Sequence, residues 1–379
     1  MAGGRKGATP TNDMSTKQNQ TNSEVRAEQA ASKPHQTIKL GLDVHAESIV
    51  VVRILDQCPP QPAQKFSPAG FRSWVKRQVG LAEQVHSCYE AGPLGYGLHR
   101  ELVRAGVNNL VVQPVCLDER RKGVKHDRRD AKELALRLDR YVAGNTHAMA
   151  LVRVPSPEEE QKRIQSRQRE QLQREVQRVA AQGCSLLLSQ GYRESQGWWE
   201  EKRWVKLRLK LPGWLVPRLE VFRRVLAGLW SELVSATVAL EAAAPEMRPK
   251  GLGGLSYEVI EREVGDWDRF QNRRQVGSYT GLCGGVSASG NTRHLLSITK
   301  HGNVRLRTAL VVLAWRLVMW QRECQLVQKW WPVLGNSKAT KAARKKAIVA
   351  VARQMAVDLW RWRTGRVKPE AFGWKMVGL

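Results

Sequence analysis

The sequence lacks the marks of a disulfide or zinc framework. Its six cysteines (Cys58, Cys88, Cys116, Cys184, Cys283 and Cys324) are scattered, none in a C-x-x-C pair and none spaced with histidine as in a zinc finger. That excludes a disulfide-stapled scaffold and predicts reduced, mostly buried thiols in a reducing compartment. Acidic charge is also short, with 35 Asp and Glu against 62 Lys and Arg, for a net charge of +27. A chain this basic is suited to a polyanion, because each cation that neutralises a phosphate releases counterions; nucleic acid is therefore the leading partner class. No stretch reaches the ~18 continuous apolar residues of a membrane span, so no membrane partner is expected. The first residues lack the apolar core of a secretory signal, and the expected location is the cytoplasm. Phenylalanine and tyrosine are few, at 5 and 6, whereas tryptophan numbers 14. Trp199, Trp214, Trp230, Trp315 and Trp360 are expected to anchor helix packing rather than to stack on bases.

What is present falls into four stretches. Residues 1–36 are polar, with almost no large apolar side chains, and predict a disordered tail. Residues 37–150 carry an α/β pattern. Ile38, Leu40 and Leu42 alternate, a turn follows at Val44–Ser48, and the branched run Ile49–Leu55 completes a strand hairpin. A helix over Ala69–Val79, a strand over Gln84–Tyr89 ending at Glu90, a helix to Arg104 and a strand over Leu110–Gln113 predict a mixed sheet. A basic loop then leads to a helix carrying Asp130, Leu134 and Leu136. Residues 151–245 read as a helical linker. Ser156-Pro157-Glu158-Glu159 forms a capping box, and the helix behind it bears a thin stripe at Ile164, Leu172, Val176 and Val179. Further on, Leu219, Phe222, Leu226, Leu229, Leu233, Ala236 and Leu240 form a heptad seam, read as half of a dimerising helical hairpin. Residues 246–379 are helical and basic, opening on the Gly-rich turn Gly251–Ser256, whose backbone amides are suited to a phosphate. The fold class is thus α/β plus α.

Two constellations carry chemistry. Asp43 ends the first strand, Glu90 ends a later one, and Asp127 and Asp130 share a face at a helix start. In an RNase H-like sheet the first and fourth strands are neighbours, which would gather all four acids at one edge. Clustered carboxylates repel and call for divalent cations, and oxygen ligands point to Mg²⁺ or Mn²⁺. Individually, each acid also reads as a loop cap or a favourable helix-end charge. Lys125, Arg128 and Arg129 beside Asp127 suit a phosphate backbone. The second constellation is Ser287-Ala288-Ser289-Gly290 with Arg293, Lys300, Asn303, Arg305 and Arg307. A serine there is a candidate nucleophile whose product charge the cations would stabilise, or simply part of a Ser/Gly turn.

At these residues the chain resembles a known family: the DEDD transposases of the insertion-sequence family called "one-ten", its "eleven-eleven" branch especially, related to the Piv DNA invertases. The matching blocks are GLDVHAESIVV, YEAGPLGYGLHREL, VKHDRRDAKELA and VGSYTGLCGGVSASGNTRHLLSITKHGNVRLRTALVVLAW, spanning about residues 38–379. The resemblance implies an RNase H-like (RuvC-like) domain over 37–150, a coiled-coil linker over 151–245 and a serine transposase domain with a helix-hairpin-helix-like element over 246–379. It implies that Asp43, Glu90, Asp127 and Asp130 bind Mg²⁺ and that Ser289 becomes joined to DNA. It further implies a homodimer, assembled as a tetramer in the active complex, a structured bridge RNA as guide, and a bacterial, nucleoid-associated setting. The chain departs from many relatives in having Ala288 where a first serine usually stands and Gly284 in place of proline. The rivals are a hydrolytic RuvC-like junction nuclease and an inactive nucleic-acid-binding relative.

Overall fold

Branched apolar residues drive the first elements. The computed structural model describes residues 33–114, 127–289 and 292–378. His35–Val44 forms β1 and Ile49–Leu55 forms β2, paired antiparallel with Asp43 opposite Val50. Along β2, Ile49 and Val51 enter one core while Val50, Val52 and Ile54 enter the other. A strand covered on both faces reads as an unbroken apolar run, which explains IVVV. Gln64–Phe66 adds a short edge strand, β3, beside β2. Helix α1, Pro68–Leu81, starts where the Ser67 side chain accepts from the Gly70 amide, and it buries Phe71, Trp74 and Val75. Strand β4, Ala82–Glu90, returns parallel to β1; α2, Gly97–Arg104, and β5, Asn108–Val112, complete a five-stranded mixed sheet of order β3-β2-β1-β4-β5.

Helix α3, Asp127–Val142, lies across β1 and β2 and buries Ala131, Leu134, Ala135 and Leu138. Leu136 is only partly buried, because the helical stripe runs 131-134-135-138. The approach is close because of Gly41. A Cβ there would sit 2.3 Å from both the Ala131 carbonyl oxygen and the Ala135 amide nitrogen. Any side chain at 41 would push α3 off the sheet.

The chain divides at Val154 and Pro155 into two compact units. In the second, α4 (Pro157–Ser189) begins with a complete capping box between Ser156 and Glu159 and with Pro157 in its first turn. Helix α5 is Glu201–Arg208, and α6, Val216–Ala242, lies against α4. Leu219, Leu226, Leu233 and Leu240 are buried, the first three packing with Val176, Val179 and Leu187 of α4. The heptad seam is therefore satisfied within one chain. Ile164, assigned to the α4 stripe from sequence, is 57% exposed. By length and composition α6 would also suffice to cross a membrane, but its leucines face α4.

The remaining elements are β6 (Arg248–Pro249), α7 (Gly254–Val264), α8 (Arg273–Thr280), β7 (Gly284–Ser289), β8 (Thr292–Ile298), α9 (Val304–Trp320), α10 (Gln325–Leu334), α11 (Lys341–Arg363) and β9 (Met376–Val377). Leu310, Leu313 and Leu317 of α9 meet Val351, Ala352 and Met355 of α11 in the core, and β9 pairs with β6. Two expectations hold only in part. Trp360 is buried in the core and Trp199 packs edge-on against Trp230, but Trp214, Trp230 and Trp315 are about half exposed, and Trp198 and Trp204, buried in an edge-on pair, pack as well. The helix faces that pack are decided by partner helices, which single-residue bulk does not reveal. The thiols are not mostly buried either: Cys88 and Cys324 are, Cys58 is exposed, Cys184 and Cys283 are intermediate, and Cys116 lies outside the described residues.

Candidate active site

The end of β1 and the start of α3 bring acids together in the first unit. The parallel register sets Leu42 beside Tyr89, so Asp43 and Glu90 leave the sheet side by side. Helix α3 begins at Asp127, whose charge suits the positive end of the helix dipole. Between Asp43 and Asp127 stands His45. Its Nε2 lies 3.3 Å from Asp43 Oδ2 and 3.7 Å from Asp127 Oδ2, and one donor atom from each of the three residues falls within 4.8 Å of the others. Burial raises the Asp43 carboxyl above its ordinary value; the charges of Asp127 and Asp130 add to that, while His45 works against it. Two carboxylates and an imidazole at this spacing, with Asp130 near and Glu90 in register, fit a divalent cation with a preference for oxygen donors. A cleft of about 570 Å³ opens beside Asp127, lined by Lys65, Arg128 and Arg129. Lys125 lies outside the described residues.

Ser289 sits in the second unit, at the end of β7. The strand pairs antiparallel with β8, with Ala288 opposite Arg293 and Ser289 opposite Thr292. The intervening Gly290 and Asn291 lie outside the described residues. The Gly/Ser-rich stretch expected to be a turn is thus largely a hairpin. Arg293 and Lys300 are exposed near it. Asn303 caps α9, accepting from the Leu306 amide at 3.0 Å, and donates to Glu263 Oε2 at 2.7 Å. Arg305 pairs with Glu170, and Arg307 donates to the carbonyls of Thr280 and Lys300, both at 3.2 Å. Arg307 ties the segment after the hairpin to the end of α8, while Asn303 and Arg305 tie the start of α9 to α7 and α4.

Two residues of this machinery are absent from the sequence reading. His45 was hidden in a turn; its signal is the i, i+2 spacing from Asp43 at a strand end. Glu263 looks like an ordinary helical acid, yet its side chain is 1% exposed and takes both ends of the Arg167 guanidinium at 2.9 Å. Burial alone would raise its carboxyl, but hydrogen bonds from Arg167 and Asn303 hold it below the usual range.

Comparison with known proteins matches the segment around Ser289. The family described as Transposase IS116/IS110/IS902 matches residues 247–328, which include Ser289, Lys300, Asn303, Arg305 and Arg307. Two proteins of Sinorhizobium fredii align over most of the chain. "Putative transposase y4rJ" is 33% identical over 300 residues, covering 72% of this chain and 75% of that protein. "Putative transposase y4qE" is 31% identical over 329 residues, covering 78% and 79%. The transposase for insertion sequence element IS1111A of Coxiella burnetii is 25% identical over 273 residues, covering 65% and 73%. Alignments of this depth, spanning three quarters or more of the Sinorhizobium proteins, place the chain in the IS116/IS110/IS902 transposase family, as an enzyme of DNA recombination carried by a mobile insertion sequence.

Proposed function

We propose that this transposase cuts and rejoins DNA through a covalent serine–DNA intermediate, with Mg²⁺ or Mn²⁺ held by Asp43, Glu90, Asp127 and Asp130 on an RNase H-like sheet. The observation that carries the reading is the packing of Asp43, His45 and Asp127 donor atoms into one small volume beside a cationic cleft. The strand order, with β1 between β2 and β4, supports the sheet assignment. When bound, a divalent ion supplies charge neutralisation and polarisation of the scissile phosphate. Asp43 and Asp127 hold their carboxylates fixed for it, His45 orients Asp43, and Lys65, Arg128 and Arg129 bind the flanking backbone.

Ser289 is the nucleophile of this proposal. Its hydroxyl loses a proton as Oγ bonds to phosphorus, and the bond from phosphorus to a deoxyribose oxygen breaks. That oxygen takes up a proton and leaves as a free strand hydroxyl. Attack by a second strand hydroxyl reverses the step and frees the serine. The phosphodiester energy is conserved in the phosphoserine, so rejoining needs no ATP. Arg293 and Lys300 would stabilise the charge that develops. The placement in the "eleven-eleven" branch, the relation to Piv invertases, a homodimer that forms a tetramer on DNA, and a structured bridge RNA as guide complete the proposal. The net charge of +27 suits polyanionic partners such as DNA and RNA.

A suicide DNA substrate tests it. The wild-type chain is expected to form a protein–DNA adduct that needs divalent ions, that Ser289→Ala does not form, and that Asp130→Ala does not form. A Ser289→Ala variant that still cuts at full rate would favour the hydrolytic nuclease, for which the acids alone suffice.

A further inference from the structure

The C-terminal unit holds a second cationic feature, distinct from the residues assigned above. A cleft of about 830 Å³ lies between α8, α10, α11 and the base of the β7–β8 hairpin. Its rim carries Arg273, Arg274, Lys329, Lys345, Lys346 and Arg353. On α11 the lining positions step 346, 349, 350, 353 and 357, so one helical stripe faces the opening. Four arginines elsewhere in this unit are answered by carboxylates: Arg167 by Glu263, Arg262 by Glu258, Arg305 by Glu170 and Arg363 by Glu261. None of the six rim cations has an ion-pair partner among the described residues. Such a cluster sets up a local positive potential that attracts an anion.

The floor is of a different character. Leu282, Leu326 and Val357 are buried there, beside partly exposed Ile298 and Val349. Trp330 lines the wall, half-buried, and makes no ring contact among the described residues. Cations above an apolar floor, with an indole that packs on the core by one side and is partly open on the other, suit a ligand that presents phosphate on one side and a flat apolar face on the other. The size is within the ~300–1,000 Å³ of sites that enclose small molecules. A duplex hides its base faces in the stack, so it can offer only the phosphates. An unpaired nucleotide offers both.

We infer that this cleft binds single-stranded DNA, with phosphates on the Lys345–Arg353 rim and an unstacked base against Trp330 and Val349. DNA is the occupant because Gly284, Leu296 and Ser297 of the Ser289 hairpin form one wall, so a strand in the cleft lies at the base of the nucleophile's own support. The choice of DNA rests on the serine reading; the binding itself does not, and is measured without divalent ions or catalysis.

The test is fluorescence anisotropy of the full chain with a labelled single-stranded deoxyoligonucleotide, its duplex, and a ribooligonucleotide of the same sequence. Single-stranded DNA is expected to bind tighter than either. The doubly substituted Lys345→Gln, Arg353→Gln chain, altered only at exposed positions, should bind it weaker and with a salt slope smaller by about 1.4, from two lost phosphate contacts at ~0.7 each. Trp330→Ala should weaken binding roughly tenfold with the slope unchanged, and Trp330→Phe should restore it. A charge control, Lys206→Gln with Lys210→Gln, should have a smaller effect than the rim pair. Equal binding of the duplex, tighter binding of the ribooligonucleotide, wild-type affinity in the rim variant, or an equal loss in the control would each overturn the assignment. Loss of adduct formation in Ser289→Ala with this binding intact would leave both readings standing. Normal recombination by Ser289→Ala would remove the serine and the argument from it for DNA, and leave the measured binding standing.

Discussion

Two groups of acids in this molecule are treated in opposite ways. Glu263 is buried and fully answered: Arg167 grips both oxygens, Asn303 donates a third bond, and its carboxyl is held below the usual range. Asp43 is partly buried beside Asp127 and Asp130, with only His45 to oppose them, and its carboxyl is raised. A protein that can neutralise a buried acid within its own fold has left the other set short of positive charge. The difference separates an acid that holds the fold together from acids that, in the function proposed, take a cation from solution.

The largest expected effect breaks the comparison at the acids. Asp43→Asn should lower divalent-dependent DNA cleavage by about a thousandfold or more, in the range where an electrostatic catalytic group is lost. Glu263→Gln should keep the cleavage rate per folded molecule within about threefold, because its bonds are structural. A quantitative cleavage assay on both variants decides between them.

Stability should move in opposite senses. Arg167→Ala strands the Glu263 charge in the interior and is expected to cost about 3 kcal/mol, a drop in Tm of roughly 6–12 °C for a unit of this size. Asp43→Asn without divalent ions should raise Tm by roughly 2 °C. The pH dependence follows from the directions. Folding favours the protonated form of Asp43, so the stability it contributes is present at low pH and is lost as pH rises through its raised value. For Glu263 the stability is present above its ordinary value and is lost as pH falls through the lowered one. Tm measured across pH on the two variants checks both signs: the gain from Asp43→Asn should vanish in acid, and so should the loss from Glu263→Gln.

A smaller effect sharpens the contrast. Mg²⁺ or Mn²⁺ at ten times its Kd should stabilise the wild-type chain by about 1.4 kcal/mol. That shift should be absent in the doubly substituted Asp43→Asn, Asp127→Asn chain. His45→Ala should weaken the ion's affinity by roughly tenfold, as loss of a group that orients a ligand does. Calorimetric titration reads both.

How much of this was legible in the residues depends on where the information lies. The β1–β2 hairpin was visible because alternation and branched runs are local, and so was the α4 capping box, whose partners are three residues apart. The register of β1 with β4, which puts Glu90 beside Asp43, follows once a parallel neighbour is assumed. β3 escaped notice because Gln64–Phe66 is too short and polar to show a pattern. The exposed Trp230 misled because tryptophan's bulk suggests burial, while the face of α6 that α4 covers is chosen by its leucines. His45 and Glu263 were missed for one reason. Part of each role comes from a partner on another element, Asp127 of α3 for His45 and Arg167 of α4 for Glu263, and spacing along the chain encodes only the His45–Asp43 half.

The hydrogen at position 41 has a further consequence. Two residues before Asp43, the strand lets α3 settle so near that not even a methyl group fits between them. The gap between the strand-borne acid and the helix-borne pair is therefore gauged by the thinnest side chain available. Gly41→Ala would leave every acidic residue in place and yet widen the jaw they form, so a chain could keep all its ligands and lose its grip on the ion.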